Sequence, residues 1–220
     1  KNNNEKKYPI YNENIINNSK TNKHQNYSEL NKNVDISNEE LGHQLKIMCI
    51  TWNVAGIPHN GNYNIANLFT ENIFYQAKIV PDIIIIGMQE IVPLEVATVL
   101  NINTNEDSIN SWTGRILYTL SKLYPSTYIK YTTLDLVEIF FICFVKRNIR
   151  DNIRIIDSSI NKTGFLGTLG NKGYVTLSLK INNKIISFGT GHFEAGQNSN
   201  ESRIDTLKET VQKLSMYGDA

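Results

Sequence analysis

The stretch PDIIIIGMQE, residues 81–90, decides the fold. Its isoleucine run, Ile83–Ile86, shows no polar alternation. A strand of this kind is buried on both faces, as at the centre of a sandwich. Pro81-Asp82 reads as the turn that opens it, and Gln89-Glu90 leaves polar groups at its end. Upstream, KIMCITWNV (46–54) has high β propensity and is ended by Gly56 and Pro58. A loop, HNGNYN (59–64), leads to a helical stretch near Ile65–Gln76.

Downstream, Leu94–Leu100 can form a short helix. Ser111–Leu123 carries Trp112, Ile116, Leu120 and Leu123 at helical spacing, an amphipathic helix. LVEIFFICFVKR (136–147) and NIRIIDSSI (152–160) read as strands. A glycine-rich turn, TGFLGTLGNKG (163–173), enters the strand YVTLSLKI (174–181). Asn182-Asn183 then makes a hairpin to KIISFGTGHF (184–193). Ser199–Tyr217 is a helix with Ile204, Leu207, Val211 and Leu214 on one stripe. Roughly six strands and four helices in mixed order describe an α/β sandwich of two sheets with outer helices, not a doubly wound parallel sheet.

Composition narrows the class. Hydrophobic residues are 40% and aromatics 10% of the 220 residues, enough for a core, so a wholly disordered chain is excluded. The formal net charge of +1 argues against a strongly basic nucleic-acid binder. Two cysteines exclude a disulfide scaffold and a cysteine-based zinc module, and fit a reducing compartment. The chain has 30 Asn and 30 Ile but 6 Ala, a bias that warns against reading every Asn as chemistry. Residues 1–45 are Asn- and Lys-rich without sustained periodicity and read as a disordered extension, with a weak helix near Asn38–Gln44. Residues 46–220 form the folded domain. No run approaches the ~18 apolar residues that span a bilayer. The longest, Leu136–Val145, is interrupted by Glu138. The start, KNNNEKKYPI, carries no secretory signal and no initiator Met, so the chain is expected to be a piece of something longer.

Three polar residues end buried strands: Asn53 in TWNVAG, Glu90 in GMQE and His192 in GTGHFEAG. A carboxylate beside an amide and an imidazole suits a hard cation and a phosphate, since Mg²⁺ takes one or two carboxylates and keeps its waters. The imidazole can hydrogen-bond a phosphoryl oxygen or orient water. Singly, each also has an ordinary reading: a solvated turn acid, a turn Asn, a half-buried histidine. In the glycine-rich segment, Gly164, Gly167, Gly170 and Gly173 recur every third residue around Asn171-Lys172. Exposed backbone N–H groups there could cradle an anion with Lys172 as point charge. The segment could equally be a flexible connector; it is neither a Walker A loop nor a Rossmann fingerprint. Cys49 and Cys143 lie in apolar strands and read as core.

Together and in order, these segments resemble the inositol polyphosphate 5-phosphatases of the DNase I-like endonuclease/exonuclease/phosphatase superfamily. TWNVAG (51–56) is similar to the family's W-N-x-x-G motif and GMQEIV (87–92) to its Q-E motif. TGFLGTLGNKGYV (163–175) resembles its G-N-K-G loop, and GHFEAGQNSNESR (191–203) its H-F-x-A-G segment with a downstream Arg. The synaptojanin-like and oculocerebrorenal-type enzymes are the nearest in pattern. The resemblance implies a four-layer α/β sandwich and Mg²⁺-dependent hydrolysis of the 5-phosphate of inositol lipids or soluble inositol phosphates. It implies that Glu90 holds Mg²⁺, that Asn53 supports the metal or the attacking water, and that His192 contacts the scissile phosphate. Asn171 and Lys172 would meet the 1-phosphate. Phe165 and Leu166, with Phe140 and Phe141, would face lipid chains, and Arg203 would be structural. A cytoplasmic protein, peripheral at membranes, is expected, with no nucleic-acid ligand and no obligate protein partner.

The family's G-D-x-N-Y-R and S-D-H motifs, which supply the base and an Asp–His pair, do not occur before Ala220. The domain is therefore expected to be incomplete at its C-terminus, and these 220 residues alone to be inactive and poorly stable. The alternatives are a truncated lipid-binding module without catalysis and a nuclease of the apurinic endonuclease type.

Overall fold

The computed structural model describes residues 44–57, 64–92, 105–163 and 172–215, all within one compact unit, Gln44–Ala220. The expected extension, apart from Gln44 and Leu45, lies outside the described residues, as does the expected helix at Leu94–Leu100. Strand β1 (Ile47–Asn53) is followed by two single helical turns, α1 (Asn67–Thr70) and α2 (Ile73–Gln76). Then come β2 (Ile83–Gln89), helix α3 (Asn105–Leu123) and the hairpin β3 (Tyr128–Leu136) and β4 (Ile139–Lys146). A 3-10 segment, Arg147–Asn152, leads to β5 (Ile153–Lys162), β6 (Gly173–Ile181), β7 (Lys184–His192) and helix α4 (Asn200–Ser215).

The strands form two sheets, ordered β1-β2-β4-β3 and β5-β6-β7. Strand β2 is buried at every position, as its isoleucine run requires. Ile84, Ile86 and Met88 pack with Met48, Phe140, Ile142 and Phe144 against Trp112, Ile116 and Leu120 of α3. Ile83 and Ile85 face the other way, with Phe141, Cys143 and Val145, onto Val175, Leu177 and Leu179 of the second sheet. Helix α4 lies on β6 and β7. The layers are thus helix, sheet, sheet, helix, the sandwich expected. Burying each large apolar side chain contributes about 1.5–3 kcal/mol.

Several expectations are corrected. LVEIFFICFVKR is not one strand: Leu136 ends β3, Val137 and Glu138 turn, and β4 begins at Ile139. Strand β3 itself, YIKYTTLDL, went unread because its burial is mixed, buried at its two ends and largely half-exposed between them. Phe140 and Phe141 have no exposed surface, so neither faces lipid; alternation along β4 drives one into each core. The helical stretch near Ile65–Gln76 is broken in two because Asn72 caps the second turn: its Oδ1 accepts from Tyr75 N and its Nδ2 donates to Leu68 O and Phe69 O. Cys143 is buried, but Cys49 is exposed, β1 lying at the sheet's edge among the described strands. On α4 the apolar stripe is not the packed face: Ile204, Leu207 and Val211 are about half exposed, while Thr206 and Thr210 are buried. Gly189 on β7 lets Thr210 and Leu214 approach the sheet at that point.

Topology brings the chemistry to one end. β1 and β2 run parallel, with Asn53 beside Gln89, and β4 runs antiparallel to β2, with Phe140 beside Met88. The ends of β1 and β2 therefore meet the start of β4. In the second sheet Gly173, the first residue of β6, pairs His192, the last of β7. At the opposite end Asp82 accepts from Lys46 N at 2.8 Å and from Lys146 Nζ at 2.8 Å, tying β1, β2 and β4. The sheets approach closely at Gly87, where an added Cβ would overlap Thr190 Oγ1. Gly87→Ala should therefore destabilise the fold by about 1–3 kcal/mol through overpacking, read as a lower urea midpoint at unchanged slope.

Candidate active site

Asn53, Glu90, Glu138, Lys172 and His192 converge at this end of the sandwich. The turn after β1 sets the first two. Ala55 N donates to Asn53 Oδ1 at 2.8 Å, occupying the acceptor end of the side-chain amide. Its NH₂ group must then face Glu90, and Nδ2 donates to Glu90 Oε1 at 2.8 Å. Gly56 N donates to Glu90 O at 2.8 Å, and Val54 N to Gln89 O at 2.9 Å, so the two strand ends are laced together. Ile91 N donates to Glu138 O at 3.3 Å and adds the β3–β4 turn to the same frame. Ala55, Glu90 and Val137 all have φ between 45° and 56°. For β-branched Val137 this is a strained conformation, and strain of this kind collects at functional sites.

Around His192 the charges alternate. Its Nε2 lies 3.4 Å from Glu90 Oε1, and its Nδ1 lies 3.7 Å from Glu138 Oε2. Lys172 Nζ is 3.2 Å and 3.1 Å from the two ring nitrogens and 3.9 Å from Glu138 Oε2. Two carboxylates thus bracket the imidazole and one ammonium faces it. Burial holds the His192 pKa below its ordinary 6.5; the Lys172 ammonium adds to this and Glu90 opposes it. The imidazole is therefore neutral at neutral pH and can accept a hydrogen bond from Lys172 or donate one through its own N–H.

Glu138 is the residue the sequence reading missed. Its side chain has no exposed surface, and neither carboxylate oxygen accepts a hydrogen bond among the described residues. Burial pushes its carboxyl above the ordinary 4.5, Lys172 opposes the shift, and Glu90 adds to it. A buried acid without hydrogen bonds is costly and marks a site. The available signal was a lone acid inside an apolar run, in LVEIFF.

Of the residues expected from sequence, the structure unites Asn53, Glu90, Lys172 and His192. Asn171, Phe165 and Leu166 lie outside the described residues. Arg203 braces the loop after β7, donating to Glu194 O at 3.0 Å, to Gly196 O at 2.8 Å and to Asn200 Oδ1. A hard cation fits this donor set. The Glu90 side chain is 36% exposed, and its Oε2 has no partner among the described residues. No group of three or more His, Cys, Asp or Glu that could hold a metal occurs among the described residues.

A family model described as endonuclease/exonuclease/phosphatase family 2 matches residues 50–220. The chain belongs to this family. It is 27% identical over 181 residues to the synaptojanin of Caenorhabditis elegans, covering 77% of this chain and 16% of that protein. It is 28% identical over 176 residues to the type IV inositol polyphosphate 5-phosphatase 9 of Arabidopsis thaliana, covering 72% of this chain and 40% of that protein. The inositol polyphosphate 5-phosphatase domain of a synaptojanin, solved with inositol (1,4)-bisphosphate and a calcium ion, shares the fold. The TM-score is 0.59 at 23% identity, over 74% of this chain and 44% of that one. The chain thus spans less than half the length of each of these relatives.

The electrostatics of this family member's site can be checked by NMR titration of the metal-free full-length protein. The His192 midpoint should fall below 6.5. Lys172→Met should raise it and Glu90→Gln should lower it. The unfolded chain takes up this proton near the ordinary value and the folded site takes it up lower, so stability should drop as pH falls through that window. A native midpoint at or above the ordinary value contradicts a neutral imidazole.

Proposed function

We propose that these residues form part of the active site of a Mg²⁺-dependent phosphatase that removes the 5-phosphate from phosphoinositides or soluble inositol phosphates. The observation that carries the reading is the meeting, within hydrogen-bond to ion-pair distance, of a part-exposed carboxylate, a neutral imidazole and an ammonium. The family to which the chain belongs, and the named activity of its 5-phosphatase relatives, support the substrate class. The matched segment is under half of the solved synaptojanin domain, so the reaction is assigned to the full-length protein.

When bound, Mg²⁺ would supply charge stabilisation at the phosphoryl oxygens and would be held by Glu90, with Asn53 in support. Asn53 fixes the Glu90 rotamer by donating to Oε1, which leaves Oε2 for the cation. Lys172 brings a positive charge beside the imidazole to attract the phosphate dianion. His192, kept neutral by its surroundings, can donate one ring proton to a phosphoryl oxygen. Glu138 faces the other nitrogen, Nδ1, at 3.7 Å; with its carboxyl protonated, as burial favours, it does not hold the ring proton there and leaves it on Nε2. Asn171, Phe165 and Leu166 remain assigned to substrate and lipid contact on the resemblance alone. A cytoplasmic protein that visits membranes peripherally fits this substrate; no helix among the described residues is long and apolar enough to cross a bilayer.

The test is phosphate release by the full-length protein with Mg²⁺, from vesicles carrying a 5-phosphorylated inositol lipid and from a soluble inositol phosphate. Glu90→Gln and His192→Ala should each lower kcat/KM by about a hundredfold or more. Incision of abasic DNA with no release from either inositol substrate overturns the reading in favour of a nuclease. Glu138→Gln separates chemistry from folding. Replacing a buried carboxyl that accepts no hydrogen bond among the described residues by an amide of the same size should leave the melting temperature unchanged or raised, while hydrolysis falls by about tenfold or more. Parallel loss of stability and activity would make Glu138 a structural residue only.

A further inference from the structure

From the contacts behind the site, we infer that Gln89 is a positioning residue that sets the spacing between Glu90 and His192. Gln89 is 6% exposed and sits at the end of β2, with its side chain directed at the second sheet. Its Nε2 donates to Thr51 Oγ1 at 3.3 Å on β1, to Thr190 Oγ1 at 3.2 Å on β7, and lies 3.4 Å from Gly87 O. One side-chain amide thus joins three strands belonging to both sheets. Gly87 makes the junction possible, because any Cβ there would occupy the place of the Thr190 hydroxyl.

The placement of these three residues relates directly to the site. Thr51 lies two residues before Asn53, Gln89 one before Glu90, and Thr190 two before His192. Side chains two apart on a strand share a face, so the hydroxyls of Thr51 and Thr190 stand one pleat, about 6.6 Å, behind Asn53 and His192. Glu90 and His192 belong to different sheets, and their 3.4 Å approach depends on how the sheets are offset. The apolar interface between the sheets does not specify an offset, because the hydrophobic effect is non-directional. Hydrogen bonds are directional and do specify one. Among the described residues the other side-chain hydrogen bond between the sheets, from Tyr131 OH to Ile153 O at 2.7 Å, joins β3 to β5 and lies away from β7. Gln89 is therefore the tie that holds β2 and β7 in register beside the reacting groups. Its carboxamide is used because a neutral donor with two N–H groups can serve two hydroxyls at once without adding charge behind Glu90.

This role rests on the reading of Glu90 and His192 as functional partners, but its test needs no turnover. In the metal-free full-length protein, NMR reads two reporters: the Asn53 side-chain amide proton, which is hydrogen-bonded to Glu90, and the His192 ring signals. Gln89→Met and the isosteric Thr190→Val should shift both, and Thr51→Val should shift Asn53 more than His192. The control is Ser178→Ala, which breaks a part-buried hydroxyl pair, Ser178–Ser187 at 2.7 Å, between β6 and β7. It should lower the melting temperature comparably while leaving both reporters in place. If Gln89→Met does not fold, Thr190→Val carries the test. Folded Thr190→Val with both reporters where the Ser178→Ala control leaves them overturns the proposal. Shifted reporters in a protein that hydrolyses no inositol phosphate would overturn the functional reading and leave the positioning role standing.

Discussion

The burial of β2 on both faces is the constraint on which the rest depends. A strand made of Ile83–Ile86, Gly87 and Met88 has no side that tolerates water, so it requires a helix layer on one face and a second sheet on the other. That demand fixes the four layers. Its neighbours follow from the same requirement: β4, equally apolar, becomes the other central strand, and the less apolar β1 and β3 take the edges among the described strands. Because β1 runs with β2 and β4 against it, the ends that carry Asn53, Glu90 and Glu138 coincide.

At that end the fold accepts several costs together. Val137 takes a backbone conformation that β-branched residues avoid, a penalty of about 1–3 kcal/mol. Among the described residues Glu138 accepts no hydrogen bond, and it faces Lys172 and His192 at distances too long for full compensation. A core built for stability alone would replace this group by an apolar one. Retaining it places a second acid beside His192, whose protonation is set by burial, Lys172 and Glu90. The polar tie through Gln89 belongs to the same economy: it spends buried polar groups to specify a spacing that apolar packing leaves loose.

Legibility tracked burial and local periodicity. β2 was readable because unbroken apolar residues admit one interpretation, and α3 because Trp112, Ile116 and Leu120 repeat at helical spacing and all reach the core. The Asn182-Asn183 hairpin was readable because Asn tolerates the left-handed region, and Asn182 indeed has φ 52°. β3 was missed because a half-exposed edge strand shows no clean alternation. The α4 stripe misled for the opposite reason: Ile204, Leu207 and Val211 have perfect helical spacing, yet helix rotation is decided by which residues fit the sheet, and Thr210 with Leu214 fit over Gly189. Phe140 and Phe141 looked like membrane contacts only while their strand's central position was unknown.

The amino-acid sequence by itself determined the layer count, the family pattern and four of the grouped polar residues, Asn53, Glu90, Lys172 and His192. Those properties are written in local apolar runs and short motifs, which need no knowledge of distant partners. Only the tertiary structure decided that Glu138 faces His192, that Lys172 lies between imidazole and acid, and that Gln89 reaches across to Thr190. Each of those contacts joins residues far apart in the chain, and each depends on the direction of a side chain at a sheet end. Strand pairing and the offset of two sheets set that direction, and neither is encoded in any single segment.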